Sequence, residues 1–498
     1  MTLRTGPAAR LADQLSRAAR SMLKLATSSQ CGTTALGTEP QASRSVARTD
    51  IASTVALVVA ASVMLSWVAL FNHAPLVFSD TIAYATAALR HEIPGFVSVY
   101  YGILILPLHQ GITLWPVVFG QGAMLGHLLY LVVRCVSGGI IEKSHTLLII
   151  ACLCLFSSLP WVTGEILPDV FAPVVLLGIF LQVFCSDQLK RGERWYLAVL
   201  TTVGIAVHLS HIPIAFGLIM LALVLQPMFV PAQIAVRRPA VLVVAFFVAV
   251  GSMLAVNWFH SRVLTLAKNS SVFLLAKWVD EGPALSYLAQ SCPTVKYDLC
   301  AYLADMKGLT HDDLKWGEGS PFKKVGSFDQ LEPEARRIVW GTLKTYPLEI
   351  LRGAMGDAGR QLLRFEAGDG LTREYARLVA PRLGEVFSPA VETSIMQSKQ
   401  GQGQLPIAEF RLLHIIGLIF GVGFCLWSFI ARRDVLPARL VALQVFVAAG
   451  IVWNAIVTGA LSGPYDRYLA RVIWLICFVG LASLWYVVRV RGRKQVLA

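Results

Sequence analysis

"IASTVALVVAASVMLSWVALF" (51–71) runs without a charge into "NHAPLVFSDTIAYATAALRHEIPGF" (72–96). A helix needs about 20 mostly apolar residues to cross the hydrocarbon of a bilayer, and 51–71 is long enough. Asp80 then stands a few residues beyond the exit of that helix. Similar runs recur at 111–134, 145–161, 169–186, 195–210, 213–230, 239–259, 409–430, 437–460 and 469–488, ten in all. The 498 residues are 56% hydrophobic and only 15% charged, with mean hydropathy +0.63. A soluble domain would carry about 25% charged residues. The expected fold is therefore an all-α polytopic membrane protein of about ten transmembrane helices.

Charge sets the expected orientation. Net charge is +13, and the basic residues lie largely in short junctions between apolar runs. Short cytoplasmic loops collect Lys and Arg. "RCVSGGIIEK" (134–143), "DQLKRGER" (187–194), "VRRP" (236–239), "ARRDVLPAR" (431–439) and "RVRGRK" (489–494) then all fall on the side of the basic N-terminal tail. That pattern accounts for much of the excess charge, so no nucleic acid is expected as partner. "FVSVYYGILILPL" (96–108) is apolar but short, which favours an interfacial or re-entrant segment.

The chain divides into five parts. Residues 1–50 are expected to be a basic, disordered cytoplasmic tail without a signal-peptide core, with at most a short amphipathic helix at 8–25. Residues 51–259 form an N-terminal bundle with an acidic first outer loop. Residues 260–408 are polar and charged. Within them "FLLAKWVDEGPALSYLAQ" (273–290) and "PEARRIVWGTLKTYPLEILRGAMGDAGRQLLRF" (333–365) place apolar residues at helical spacing. A mainly helical periplasmic domain, lying on the membrane face before the last three spans, is expected there. Residues 409–488 hold those spans, and 489–498 form a basic cytoplasmic tail. Of nine cysteines only Cys292 and Cys300 fall outside. Two outer thiols eight residues apart suit a disulfide.

The outer ends of the runs carry the chemistry. Beside Asp80 and Tyr84 they bring Glu165 and Asp169 ("WVTGEILPDVF", 161–171), His208 and His211 ("HLSHIP", 208–213), and Asp466, Arg467 and Arg471 ("LSGPYDRYLARVIW", 461–474). Each has an ordinary reading. Asp80 and Asp169 are placed to cap helices. The histidines could be satisfied by backbone, and Arg467 could snorkel or pair with Asp466. Arg471, at the start of a span, needs an anion to meet. Together, a carboxylate that can act as base and guanidinium forks that match phosphate oxygens suit transfer of a group from a lipid phosphate. No nucleotide-type glycine loop, GxSxG or HExxH pattern is present.

This layout resembles the polytopic glycosyltransferases of the C superfamily, which use polyprenyl-phosphate sugar donors. They carry an acid in the first outer loop followed by short interfacial helices, as Asp80 and 81–110 do here. They often carry a second acid in the next outer loop, here Glu165 or Asp169. Their acidic motif is often a pair, where this chain has "SD", and their soluble domain often comes after the last span. The resemblance implies Asp80 as base, and Glu165 or Asp169 assisting or holding a divalent metal, Mg or Mn. Donor phosphate would meet Arg467 and Arg471, with Tyr84, His208, His211 and Asp466 lining the substrate site. The implied setting is a bacterial inner membrane with both termini cytoplasmic, and the partners are the lipid-linked donor and membrane lipids. A transporter or lipid flippase is the competing class, but no internal repeat of the transporter kind is visible. A non-catalytic envelope assembly protein is a third. The orientation is checked by reporter fusions: one at Gly192 should read cytoplasmic and one at Gly319 periplasmic. A periplasmic signal at Gly192 would dissolve the shared face on which the site depends.

Overall fold

The computed structural model describes residues 41–93, 95–229, 239–432 and 435–496. The expectations for residues 1–40, with the helix at 8–25 and Cys31, lie outside the described residues. By compactness the chain divides after Ser53. The first unit is described only from Gln41, where helix α1 (Gln41–Leu65) starts. All the other elements belong to the second unit. Among the described residues there is no strand, only an isolated bridge between Leu76 and Glu165.

Helix α1 breaks at Ser66, whose hydroxyl donates to the Ser62 carbonyl at 2.8 Å. Such back-bonding bends helices, and a short α2 (Trp67–Asn72) resumes. Two short helices come next, α3 (Thr81–Arg90) and α4 (Val99–His109), and then the long α5 (Trp115–Ser137). Helix α6 (Lys143–Phe156) ends at a second serine, Ser157, bonded back to Leu153 O at 2.6 Å. A turn of helix, α7 (Leu159–Gly164), and a 3₁₀ turn (Pro168–Val170) lead into α8 (Phe171–Phe184). Then come α9 (Arg191–Ala206), α10 (His211–Phe229) and α11 (Pro239–Ser261).

The polar segment is built from α12 (Ser270–Asp280), α13 (Pro283–Ser291), α14 (His311–Trp316), α15 (Pro321–Val325), α16 (Phe328–Thr345) and α17 (Pro347–Gln361). It continues through α18 (Arg373–Val386), α19 (Pro389–Gln397) and α20 (Lys399–Gln402). The chain closes with α21 (Ile407–Ala431), α22 (Ala438–Leu461) and α23 (Asp466–Val496).

Six of these helices, α5, α10, α11, α21, α22 and α23, are long and apolar enough to cross a membrane. Among the described residues the fold is all-helical, with several apolar helices of the kind that suits a membrane protein. The other four apolar runs are also helical, but shorter. Runs 51–71 and 145–161 are each divided by a serine, at Ser66 and Ser157. Helix α8 has 14 residues, and α9 has 16 and opens on Arg191, Glu193 and Arg194. A hydropathy window adds residues and is blind to a hydroxyl that turns back on its own helix. Val99–His109 is a helix of 11 residues, too short to span.

The polar segment divides in two. Helices α12 to α16 bury a core of their own around Val272, Leu275, Leu299, Phe322, Leu331 and Ile338. A disulfide joins Cys292 and Cys300, with Cα atoms 5.7 Å apart, beside that core. By contrast Ala376, Val379, Ala380 and Leu383 of α18 belong to the large core of the apolar bundle.

Close helix approach is made through glycine. "GLIFG" (417–421) sets two glycines one turn apart on α21. A side chain at Gly421 would meet the Ile476 carbonyl at 2.7 Å and the Cys477 backbone at 2.8 Å on α23. Small residues at this spacing let membrane helices touch by backbone. Gly421→Leu should lower stability by about 1–3 kcal/mol, the usual cost of overpacking, seen as an earlier melt in detergent. Gly423→Leu, with nothing within 4 Å, should melt like the parent.

Candidate functional site

The loop after α2 is sewn to the loop after α7 by backbone. Leu76 N donates to Gly164 O and Ile166 N to Leu76 O, both at 3.0 Å. Gln400 grips the same loop, accepting from Val77 N at 3.1 Å and donating to Val77 O at 2.6 Å. Its own N–H donates to Asn72 Oδ1 at 2.7 Å. These contacts place Asp80 at the head of α3, where its side chain makes no capping bond. The hydroxyl of Thr81 instead accepts from Phe78 N at 3.0 Å and donates to Ile166 O at 3.2 Å. The capping reading of Asp80 therefore fails. Its carboxylate lies 3.7 Å from the Arg467 guanidinium and is 31% exposed.

Arg467 and Arg471 occupy successive turns of α23 and differ sharply. Arg471 is fully buried. It donates to Asp169 Oδ1 at 2.8 Å, to Ser210 Oγ at 3.2 Å and to Asn454 Oδ1 at 3.1 Å. It lies at no cleft surface, and Asp169 is its anion rather than a helix cap. Arg467 donates to Tyr468 OH at 3.2 Å and lies over the rings of Phe78 (4.4 Å) and Tyr468 (4.9 Å). A guanidinium has five N–H donors, so Arg467 keeps several for a ligand. Its partner is Asp80, not Asp466. Asp466 accepts from Glu366 N at 3.0 Å and so fixes the loop instead of facing the cleft.

A narrow cleft is lined by Glu165, Asp169, Asp369 and Arg467, with Trp161 and Leu371 among its apolar walls. Its free volume of about 20 Å³ holds about one water, so a substrate must widen it. Glu165 is 8% exposed, and its Oε1 has no partner. Burial, reinforced by the charge of Asp169 and opposed by Arg467, pushes the Glu165 carboxyl well above the usual carboxylate range. Burial also raises Asp80, with Arg467 pulling it back.

The other expected residues scatter. His208 accepts at Nδ1 from Ser210 N at 3.2 Å, with the Ser210 hydroxyl at 2.8 Å. It supports Ser210, and through it Arg471. His211 donates to Gly204 O at 2.7 Å, the backbone satisfaction expected of a histidine at a helix break. Tyr84 is buried edge-on against Tyr101, with ring centroids 5.3 Å apart.

Asp369 is a cleft residue that the sequence did not single out. It accepts from Arg467 N at 3.2 Å in the turn "GDG" (368–370), whose glycines have φ of 96° and 76°. A side chain at Gly370 would strike the Phe78 ring. Gly-Asp-Gly is a legible turn signal, but nothing in it says which way the acid faces. Further out, Tyr465 OH donates to Asp312 Oδ2 at 2.6 Å and lies 2.6 Å from His311 Nε2, while His311 Nδ1 lies 2.8 Å from Asp280 Oδ2. The last loop is thereby fastened to α12 and α14.

Among the described residues no three His, Cys, Asp or Glu side chains are grouped to hold a metal ion. The positive charge among these acids is guanidinium: Arg471 takes Asp169, and Arg467 faces Asp80. The donor set does not fit Mg or Mn.

Compared with protein-family models, curated proteins and solved structures, the chain matches none.

Removing one member of a buried ion pair costs about 3–5 kcal/mol because the other charge is stranded. Asp169→Ala should therefore strip most of the fold's stability, read as thermal unfolding or loss of protein from the membrane fraction. Glu385→Ala, which removes an exposed partner 3.9 Å from Arg90, should cost less than about 1 kcal/mol.

Proposed function

We propose that this chain is an integral membrane glycosyltransferase that moves a sugar from a polyprenyl-phosphate carrier to an acceptor hydroxyl at the periplasmic face. One observation carries the reading: a partly exposed carboxylate, Asp80, faces a guanidinium with spare donors, Arg467, beside a cleft lined by further acids. In the proposed step Asp80 accepts the acceptor's hydroxyl proton as that oxygen attacks the anomeric carbon. The bond from that carbon to the phosphate oxygen breaks, and its electron pair leaves on the phosphate. Arg467 neutralises the departing phosphate, as guanidinium forks suit phosphate. Glu165, kept neutral, donates a hydrogen bond to the same group. Arg471 holds Asp169 and the cleft wall.

The membrane arrangement belongs to the same proposal. All ten apolar runs cross, with the termini cytoplasmic in a bacterial inner membrane and residues 260–408 periplasmic. The 14-residue α6 is about 21 Å long at 1.5 Å per residue, short of a hydrocarbon core of about 30 Å. The turn of α7 directly after it makes up the difference. This count keeps every basic junction on one side.

Asp80→Asn keeps the shape and removes the proton acceptor. It should accumulate and melt like the parent yet lose about 10²–10⁴ in rate, the usual worth of a general base. The readout is glycosylated product and released polyprenyl phosphate in cells at matched protein level. Activity of the parent should appear as pH rises through the Asp80 titration, which burial raises from its ordinary value. Arg467→Lys keeps the charge, loses the fork and should raise the KM for donor more than it lowers stability. Full product from Asp80→Asn would refute the assignment of Asp80 as base.

A further inference from the structure

Helix α17 (Pro347–Gln361) has three distinct sides. Asp357, Ala358 and Gln361 are buried. At about 100° per residue they share one side, and it packs along α22, a helix apolar enough to cross the membrane. The approach is close: a side chain at Gly459 of α22 would meet Ala358 N and the Asp357 carbonyl at 2.8 Å. Glu349, Arg352 and Arg360 form a polar side.

Between these two lies a stripe of large apolar side chains with no partner in the chain. Leu348 is 78% exposed, Leu351 58% and Met355 59%. They recur at i, i+3 and i+7, so they line one narrow strip. Leu362, directly after α17 and i+7 from Met355, is exposed as well. Such a contiguous patch exceeds what scattered surface residues explain. Two further facts point to what covers it. Val452 on α22, two turns before Gly459 on the same face, is also exposed, so the stripe continues the open apolar side of a spanning helix. The stripe is also flanked by exposed Lys344, Arg352, Arg360 and Arg364, which match anionic headgroups.

We infer that α17 is an interfacial helix immersed in the bilayer beside α22, with phospholipid acyl chains covering Leu348, Leu351 and Met355. The inference is independent of the catalytic reading. It makes α17 the anchor of the polar segment, because Gln361 at its end holds the backbone of Tyr465 at 3.0 and 2.8 Å, next to Arg467.

The test uses the full chain in nanodiscs of phosphatidylethanolamine and phosphatidylglycerol. The photo-crosslinking residue p-benzoylphenylalanine is placed at 351, at 355 or, as a control, at Glu349 on the polar side. After illumination, mass spectrometry should find phospholipid adducts at 351 and 355, several-fold above those at 349. Adducts joining two copies of the chain at 351 or 355 would overturn the proposal in favour of a protein interface. Equal, low lipid labelling at all three positions would overturn it in favour of a stripe facing water. Matched melting curves of the unilluminated samples confirm that each variant is folded.

Discussion

The contact on which the site depends is the buried pair of Arg471 and Asp169. A guanidinium enclosed among apolar helices is costly unless its charge is met. Arg471 meets Asp169 on the turn before α8, Ser210 before α10 and Asn454 on α22. One side chain on α23 thus fixes three separate parts of the bundle. Stranding the buried charge of Arg471 or Asp169 costs several kcal/mol, and an unmet Ser210 or Asn454 about 1–3 kcal/mol, so the arrangement forms as a whole. His208 belongs to it through Ser210 rather than through a substrate.

One turn earlier on the same helix, Arg467 has a different fate because it lies at the boundary. It is partly exposed, rests on aromatic rings and shares its charge with Asp80 across 3.7 Å. The acids outnumber the cations here: Asp80, Glu165, Asp169 and Asp369 gather around two guanidiniums. The carboxyl that yields is Glu165, the one without a hydrogen-bond partner on Oε1. Environment therefore separates like residues: Asp169 is held by Arg471 and Asp80 faces Arg467, while Glu165 is left without a partner on Oε1.

The polar segment closes this end of the bundle through a few directed bonds. Gln400 holds the first loop, Asp369 the start of α23, and Gln361 and Asp312 hold Tyr465. None of these residues stands out by composition. Each acts through a partner about 100 to 320 residues away in sequence, and no local pattern encodes such a partner.

The sequence by itself determined that the described chain is helical and carries apolar helices that suit a membrane, because hydropathy is a sum over neighbouring residues. It also placed the acids and arginines at the ends of the apolar runs, and it paired Cys292 with Cys300 by elimination. It did not determine the length of each helix: Ser66 and Ser157 break theirs by bonding backward, and a hydropathy window counts them as nearly neutral. It marked Arg471 as the arginine that needs an anion, but it gave both arginines to donor phosphate and did not single out Asp369. Burial and pairing are properties of two residues brought together from distant positions. Only the packing of α23 against the loop after α7 decided which arginine is enclosed and which faces the cleft.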